Sequence, residues 1–184
     1  MSPSAQSQNI VEIEHLSYRV NDRLILNDLS CAIPQGAFVA LLGENGSGKT
    51  TLIDVLMGFR KPTEGQVRVL NETPHLDPAA SRQRIAYLSE KVDIPGDWTV
   101  EEFLKFSSFF FENYDRQREA ELATLFKIQS GNRLGNMSTG EIRRVQLIGA
   151  LACHPELVLV DEITAVLDIV GRQKFFTVLQ KMNR

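Results

Sequence analysis

The chain is poor in the features that would have decided its class at once. It has two cysteines, Cys31 and Cys153. They stand alone in apolar runs, match no metal-ligand spacing and read as reduced core residues of a cytosolic protein. Basic residues are not in excess: 20 Lys and Arg against 23 Asp and Glu give a formal charge of −3. That balance argues against binding nucleic acid through an overall basic face, so no nucleic-acid partner is expected. No stretch reaches the ~18 consecutive apolar residues of a membrane span. The first residues, Met1-Ser-Pro-Ser-Ala-Gln-Ser-Gln-Asn9, have neither a basic start nor an apolar core, so residues 1–9 read as a disordered leader and not a signal peptide. There are no internal repeats.

What is present is a chain of 184 residues, 43 % hydrophobic and 23 % charged, enough for one well-buried core. Residues 43–50 read Gly-Glu-Asn-Gly-Ser-Gly-Lys-Thr, the pattern G-x-x-x-x-G-K-[ST]. Before it, Ala37-Phe-Val-Ala-Leu-Leu42 is continuously apolar and bounded by Pro34-Gln-Gly36, which predicts a buried strand. After it, Thr51 to Met57 has helical spacing and stops at Gly58. A strand turning through glycines into a helix start aims backbone N–H groups and the positive end of a dipole at one point, which suits phosphate. Gly43, Gly46 and Gly48 let the backbone approach the anion, with Glu44, Asn45, Ser47 and Thr51 completing the loop. Lys49 is expected on the β- and γ-phosphates and the Thr50 hydroxyl on magnesium. The motif points to ATP or GTP without saying what the energy serves.

Elsewhere, Ile10 to Val20 and Leu24 to Ile33 read as strands flanking the turn Asn21-Asp-Arg23, an antiparallel pair with one wet face. Gln66 to Leu70 alternates as a strand, and Ile85 to Leu88 is a short one. Thr99 and Glu102 are spaced as a capping box before a helix with Val100, Phe103, Leu104, Phe106 and Phe110 on its apolar face. Further helices are expected at about Asp115 to Ile128, Thr139 to Cys153 and Gly171 to Lys181. Trp98 and the run Phe109-Phe-Phe111 read either as packing of this helical region or as a docking surface. Leu157-Val-Leu-Val160 is an apolar strand ending in Asp161-Glu162. Paired carboxylates at a strand end, downstream of a phosphate loop, suit a nucleotide hydrolase: Asp161 toward magnesium and Glu162 as general base for the attacking water.

The ordered set of Tyr18, residues 43–50, a polar residue after Leu88, Met137-Ser-Thr-Gly-Glu141, Leu157 to Glu162 and Thr164-Ala-Val-Leu-Asp168 resembles the ATP-binding domain of ABC transporters, from about Ile10 onward. The resemblance implies an α/β fold: a P-loop NTPase core with a parallel sheet, an antiparallel β-subdomain and a helical insert at about 92–153. It implies ATP and Mg2+ as ligands, Tyr18 stacked on adenine, and Asp168 in a loop that crosses a dimer interface. Ser138 and Gly140 look like the signature that meets the γ-phosphate on a partner subunit, while Ser138 and Glu141 also form an ordinary capping box. The implied partners are a second ATPase domain and separate membrane subunits, which places the chain on the cytoplasmic face of a membrane.

Three departures qualify the resemblance. Glu90 stands where the family usually has a glutamine near magnesium and water. The signature reads Met-Ser-Thr-Gly-Glu, a version that resembles exporter ATPases. The final core strands of the family, one carrying a histidine, are missing after Arg184; His15, His75 and His154 are all upstream. A fragment, a shortened gene or a partner strand would each account for this, and unpaired central strands and poor hydrolysis are expected. The alternatives in function are a non-transport ABC-type ATPase and a regulatory nucleotide-binding module with little hydrolysis.

Overall fold

The computed structural model describes residues 8–89, 94–161 and 169–182. The chain forms two compact units, Met1–Arg82 and Gln83–Arg184.

In the first unit, β1 (Asn9–Val20), β2 (Arg23–Pro34) and β3 (Glu64–Val69) form an antiparallel sheet in the order β2-β1-β3. The expected hairpin turns at Asn21, whose φ of 51° suits a short polar side chain. One face is apolar through Val11, Ile13, Leu16, Val67 and Val69, all buried. Helix α1 (Lys49–Leu56) buries Leu52, Ile53, Val55 and Leu56 and packs on β2 and β3. A short helix, α2 (Pro78–Arg82), was not legible in the sequence.

Two expectations fail in this unit. Residues 37–42 form no strand, and Phe38, Val39, Leu41 and Leu42 are exposed, Leu42 by 92 %. An apolar run becomes a buried strand only if neighbours close its ladder. Among the described residues the sheet members are β1 to β3 in one sheet and β4 and β5 in the other. Cys31 is exposed and not a core residue, because β2 is an outer strand of its sheet and buries only Leu26.

In the second unit, β4 (Ile85–Ser89) and β5 (Leu157–Asp161) run parallel in register from Ile85 opposite Leu157 to Ser89 opposite Asp161. Arg84 and Glu156 pair just before these strands, with Arg84 Nη2 donating to Glu156 Oε2 at 2.8 Å. Between β4 and β5 lie α3 (Val100–Ser108), α4 (Arg116–Phe126) and α5 (Thr139–Leu151), and α6 (Ile169–Met182) follows. Their buried faces make one core of Leu88, Val100, Leu104, Leu122, Phe126, Leu134, Val145, Leu147, Ile148, Leu151, Phe175 and Val178.

The helix starts follow the sequence signals. The Thr99 and Glu102 capping box closes on α3, and Asp115 accepts from Gln117 N–H at 2.8 Å and Arg118 N–H at 3.0 Å to cap α4. The apolar face of α3 is narrower than expected: the helix ends at Ser108, and Phe106 and Phe110 are exposed, as is Phe109. Trp98 packs against the core and meets Phe106 edge-on at 5.2 Å. Cys153 is buried, and burial pushes its thiol up to about 11.

Candidate nucleotide site

The phosphate loop is built to leave a helix start open. Gly48 caps α1 with φ 97° and supplies no side-chain hydrogen bond, so the first N–H groups of the helix have no capping oxygen from that residue. A Cβ on Gly48 would sit 3.0 Å from Leu26 Cδ2 and 3.2 Å from the Ile25 carbonyl oxygen. Glycine is therefore required by both conformation and space. The Lys49 ammonium donates to the carbonyls of Gly43 and Glu44, each at 2.8 Å. Those two bonds hold the cation over its own loop, where a phosphate oxygen is the natural third acceptor. Thr50 is exposed at the first turn of α1. Thr51 is half-buried beside Leu52 and Ile53, which anchor the helix below.

Tyr18 is tied to this loop from two directions. Its cross-strand partner on β2 is Leu26, the residue packed against Gly48. Its hydroxyl accepts from Arg60 Nη1 at 3.0 Å, and Arg60 Nε donates to Asp54 Oδ2 of α1 at 2.7 Å. These bonds, the one to Asp54 first, raise the Arg60 pKa. The sequence carried no signal for Arg60: it follows the helix in a turn, outside any periodic pattern. Leu26 was legible only as a strand residue.

In the second unit, Ser138 caps α5. Its backbone N–H donates to Glu141 Oε2 at 2.9 Å and its Oγ donates to the same oxygen at 2.7 Å, while Glu141 N–H donates back to Ser138 Oγ at 3.3 Å. Ser138 and Thr139 are exposed and Gly140 is half-buried, so the helix start faces outward. The hydrogen bonds from Ser138 hold the Glu141 carboxyl below its ordinary range. Behind this start, Arg143 is buried and donates through Nη1 to Gln146 Oε1 at 2.7 Å and to the Ser89 carbonyl at 3.1 Å, joining α5 to the end of β4. Neither Arg143 nor Gln146 was legible as a core residue. Asp161 ends β5 as expected. Glu90, Glu162 and Asp168 lie outside the described residues.

A glycine loop bearing Lys49 that runs into a helix start whose N-cap residue supplies no side-chain hydrogen bond has the geometry of a phosphate-binding loop, and the comparisons with known proteins give its class. Residues 26–165 match the family described as ABC transporter, and the chain belongs to that family. It is 31 % identical over 95 % of its length to a probable metal transport system ATP-binding protein of Thermotoga maritima, covering 70 % of that protein. It is also 31 % identical over 96 % of its length to a zinc import ATP-binding protein of Wigglesworthia glossinidia brevipalpis, covering 72 % of it.

Among solved structures, it superposes with a TM-score of 0.86 on an ATP-binding subunit of an ABC transporter, at 23 % identity, covering 95 % of this chain and 75 % of that one. It also superposes on a dimeric ATP-binding cassette in a post-hydrolysis state bound to ADP and phosphate. There the TM-score is 0.79 and the identity 25 %, with 95 % of this chain and 83 % of that one covered. The domain is thus an ATP-binding and ATP-hydrolysing subunit of the transporter type.

Proposed function

We propose that the chain couples ATP hydrolysis to transport as one half of a nucleotide-sandwich dimer, acting on membrane subunits from the cytoplasmic face. The observation that carries this reading is the pairing of the Lys49 ammonium with two loop carbonyls at the start of α1, where the N-cap residue is a glycine with φ 97°. In this reading residues 43–51 hold the phosphates, Tyr18 stacks on adenine, and Ser138 and Gly140 of one copy meet the γ-phosphate held by the other. Glu162 takes the proton of the attacking water, and Asp168 orders the neighbouring site.

Thr50 and Asp161 would hold Mg2+, with Glu90 as a further oxygen donor. All three carry hard oxygen ligands of the kind magnesium takes. A sparse donor set fits an ion that keeps several waters and binds phosphate oxygens. When bound, it supplies positive charge where the β- and γ-phosphates are most negative.

For the membrane partner, the second unit offers an open cavity of about 170 Å3 lined by Tyr87, Ser89, Phe103, Phe111, Gln146 and Gly149. Phe110 meets Phe106 edge-on at 5.0 Å while Phe109 beside it is exposed, so the run both packs within the helical region and presents an apolar face for docking. No helix among the described residues is long and apolar enough to cross a membrane.

The reading is tested by sedimentation of Glu162→Gln, which would trap bound ATP. With ATP and magnesium it is expected to sediment as a dimer, and a Lys49→Ala,Glu162→Gln double variant as a monomer. A chain that binds ATP but stays monomeric in both would favour the regulatory reading instead.

A further inference from the structure

The loop between α1 and β3 does more than connect them. Phe59 N–H and Arg60 N–H both donate to the Asp54 carbonyl, at 2.8 and 3.3 Å, so the loop folds back on the end of α1. The turn needs Gly58, whose φ is 71° and where a Cβ would sit 2.2 Å from the Pro74 carbonyl oxygen. The loop is then fixed on β1 on both sides of Tyr18. Thr63 N–H donates to the Ser17 carbonyl at 2.9 Å, and Arg19 N–H donates to Thr63 Oγ1 at 3.0 Å.

Within that frame the Arg60 guanidinium bridges Asp54 and the Tyr18 hydroxyl at 2.7 and 3.0 Å. Its carbon lies 5.7 Å from the Tyr18 ring centre, near the ~6 Å limit of a cation–π contact, so the hydrogen bond to the hydroxyl end is the stronger tie. A half-buried tyrosine held at its hydroxyl has lost most of its freedom of swing before any base arrives. The other end of the same guanidinium rests on the helix that begins at Lys49.

We propose that Arg60 is a positioning residue for nucleobase binding, holding the Tyr18 ring at a fixed distance from the phosphate loop by bridging it to Asp54. The inference rests on Tyr18 being the base-stacking residue. It makes Arg60 a determinant of affinity for the nucleoside part of the ligand and leaves the triphosphate part untouched.

The test measures equilibrium binding of ATP and of inorganic triphosphate, each with magnesium, to the full chain and to Tyr18→Ala, Tyr18→Phe, Arg60→Ala and Tyr18→Ala,Arg60→Ala. Loss of a base–aromatic stack in Tyr18→Ala should weaken ATP about 10-fold and leave triphosphate unchanged. Arg60→Ala and Tyr18→Phe, which cut the same tether from opposite ends, should each weaken ATP about 3-fold, again without affecting triphosphate. In the Tyr18→Ala background the Arg60 substitution should add nothing.

An equal loss of ATP and triphosphate in Arg60→Ala would overturn the proposal, as would a full Arg60 effect persisting without the tyrosine or a normal ATP affinity in Tyr18→Phe. If Arg60→Ala does not fold, Tyr18→Phe carries the same test. If Tyr18→Ala itself binds ATP normally, the stacking reading fails first, and that outcome is distinct from failure of the tether alone.

Discussion

Ser138 and Glu141 close a reciprocal capping box, in which the serine Oγ donates to the glutamate at 2.7 Å and accepts from its backbone N–H at 3.3 Å. The pair starts the helix that buries Val145, Ile148 and Leu151, so it links a proposed γ-phosphate contact to the core of the second unit. Ser138→Ala should cost about 1 kcal/mol of stability, read as a lower denaturation midpoint. It should also abolish ATP-dependent dimerisation in a Glu162→Gln background, because the proposed contact goes with the cap. Loss of stability with intact dimerisation would leave Ser138 a cap and nothing more.

Acid should weaken the second unit. Glu141 is held below its ordinary value of 4.5 by Ser138, Glu102 by Thr99, Asp115 by the Arg118 N–H, and Glu156 by Arg84. Their folded pKa values lie below the unfolded ones. The stability they add is therefore complete above the ordinary carboxylate range and is lost as the pH falls through the folded values. Urea midpoints between pH 7 and 3 should be level down to about pH 5 and then decline. Glu141→Gln can still close the box but cannot titrate, so its acid decline should be shallower than that of the parent chain.

Arg143 should be costly to remove. Its guanidinium is buried and joins Gln146 and the Ser89 carbonyl. Charged hydrogen bonds of this kind contribute about 1.5–3 kcal/mol. Arg143→Ala is expected to lower the melting temperature by about 3–12 °C in a domain of this size. A shift of less than a degree would show that the joint between α5 and β4 carries no stability.

Leu42 separates two pictures of the residues before the phosphate loop. With 92 % of it exposed, Leu42→Glu should change stability by no more than about 0.5 kcal/mol. It should also reduce aggregation, since Phe38, Val39, Leu41 and Leu42 form an exposed apolar run. If the segment were a buried strand, the same charge would cost several kcal/mol. Chemical denaturation and light scattering of the two proteins decide between them.

The features legible in the sequence were those set by neighbours close in the chain. Asn21-Asp-Arg23 fixed the hairpin, Thr99 with Glu102 and Ser138 with Glu141 fixed helix starts, and the glycine spacing around Lys49 fixed the phosphate loop. Features that depend on a distant partner were not legible. Residues 37–42 have strand composition, but composition does not supply ladder neighbours. Cys31 alternates correctly for a strand yet lies on an outer one.

Arg60 and Arg143 carried no signal in the sequence, and two of the groups they bond, Tyr18 and Ser89, are 42 and 54 residues away. Among the proposed site residues, Tyr18 is singled out only by its place in the ordered family pattern. Its tether was not legible at all.

The account rests most directly on the Lys49 ammonium as the phosphate contact of this chain. Isothermal titration of ATP with magnesium into the parent chain and Lys49→Ala tests it. Saturable one-site binding is expected in the parent. A loss of about 10- to 150-fold is expected in the variant, the scale of one charged hydrogen bond, with an unchanged circular dichroism spectrum. Equal ATP affinity in the two folded proteins would contradict the assignment of the loop as the nucleotide site, and with it the proposed role in transport.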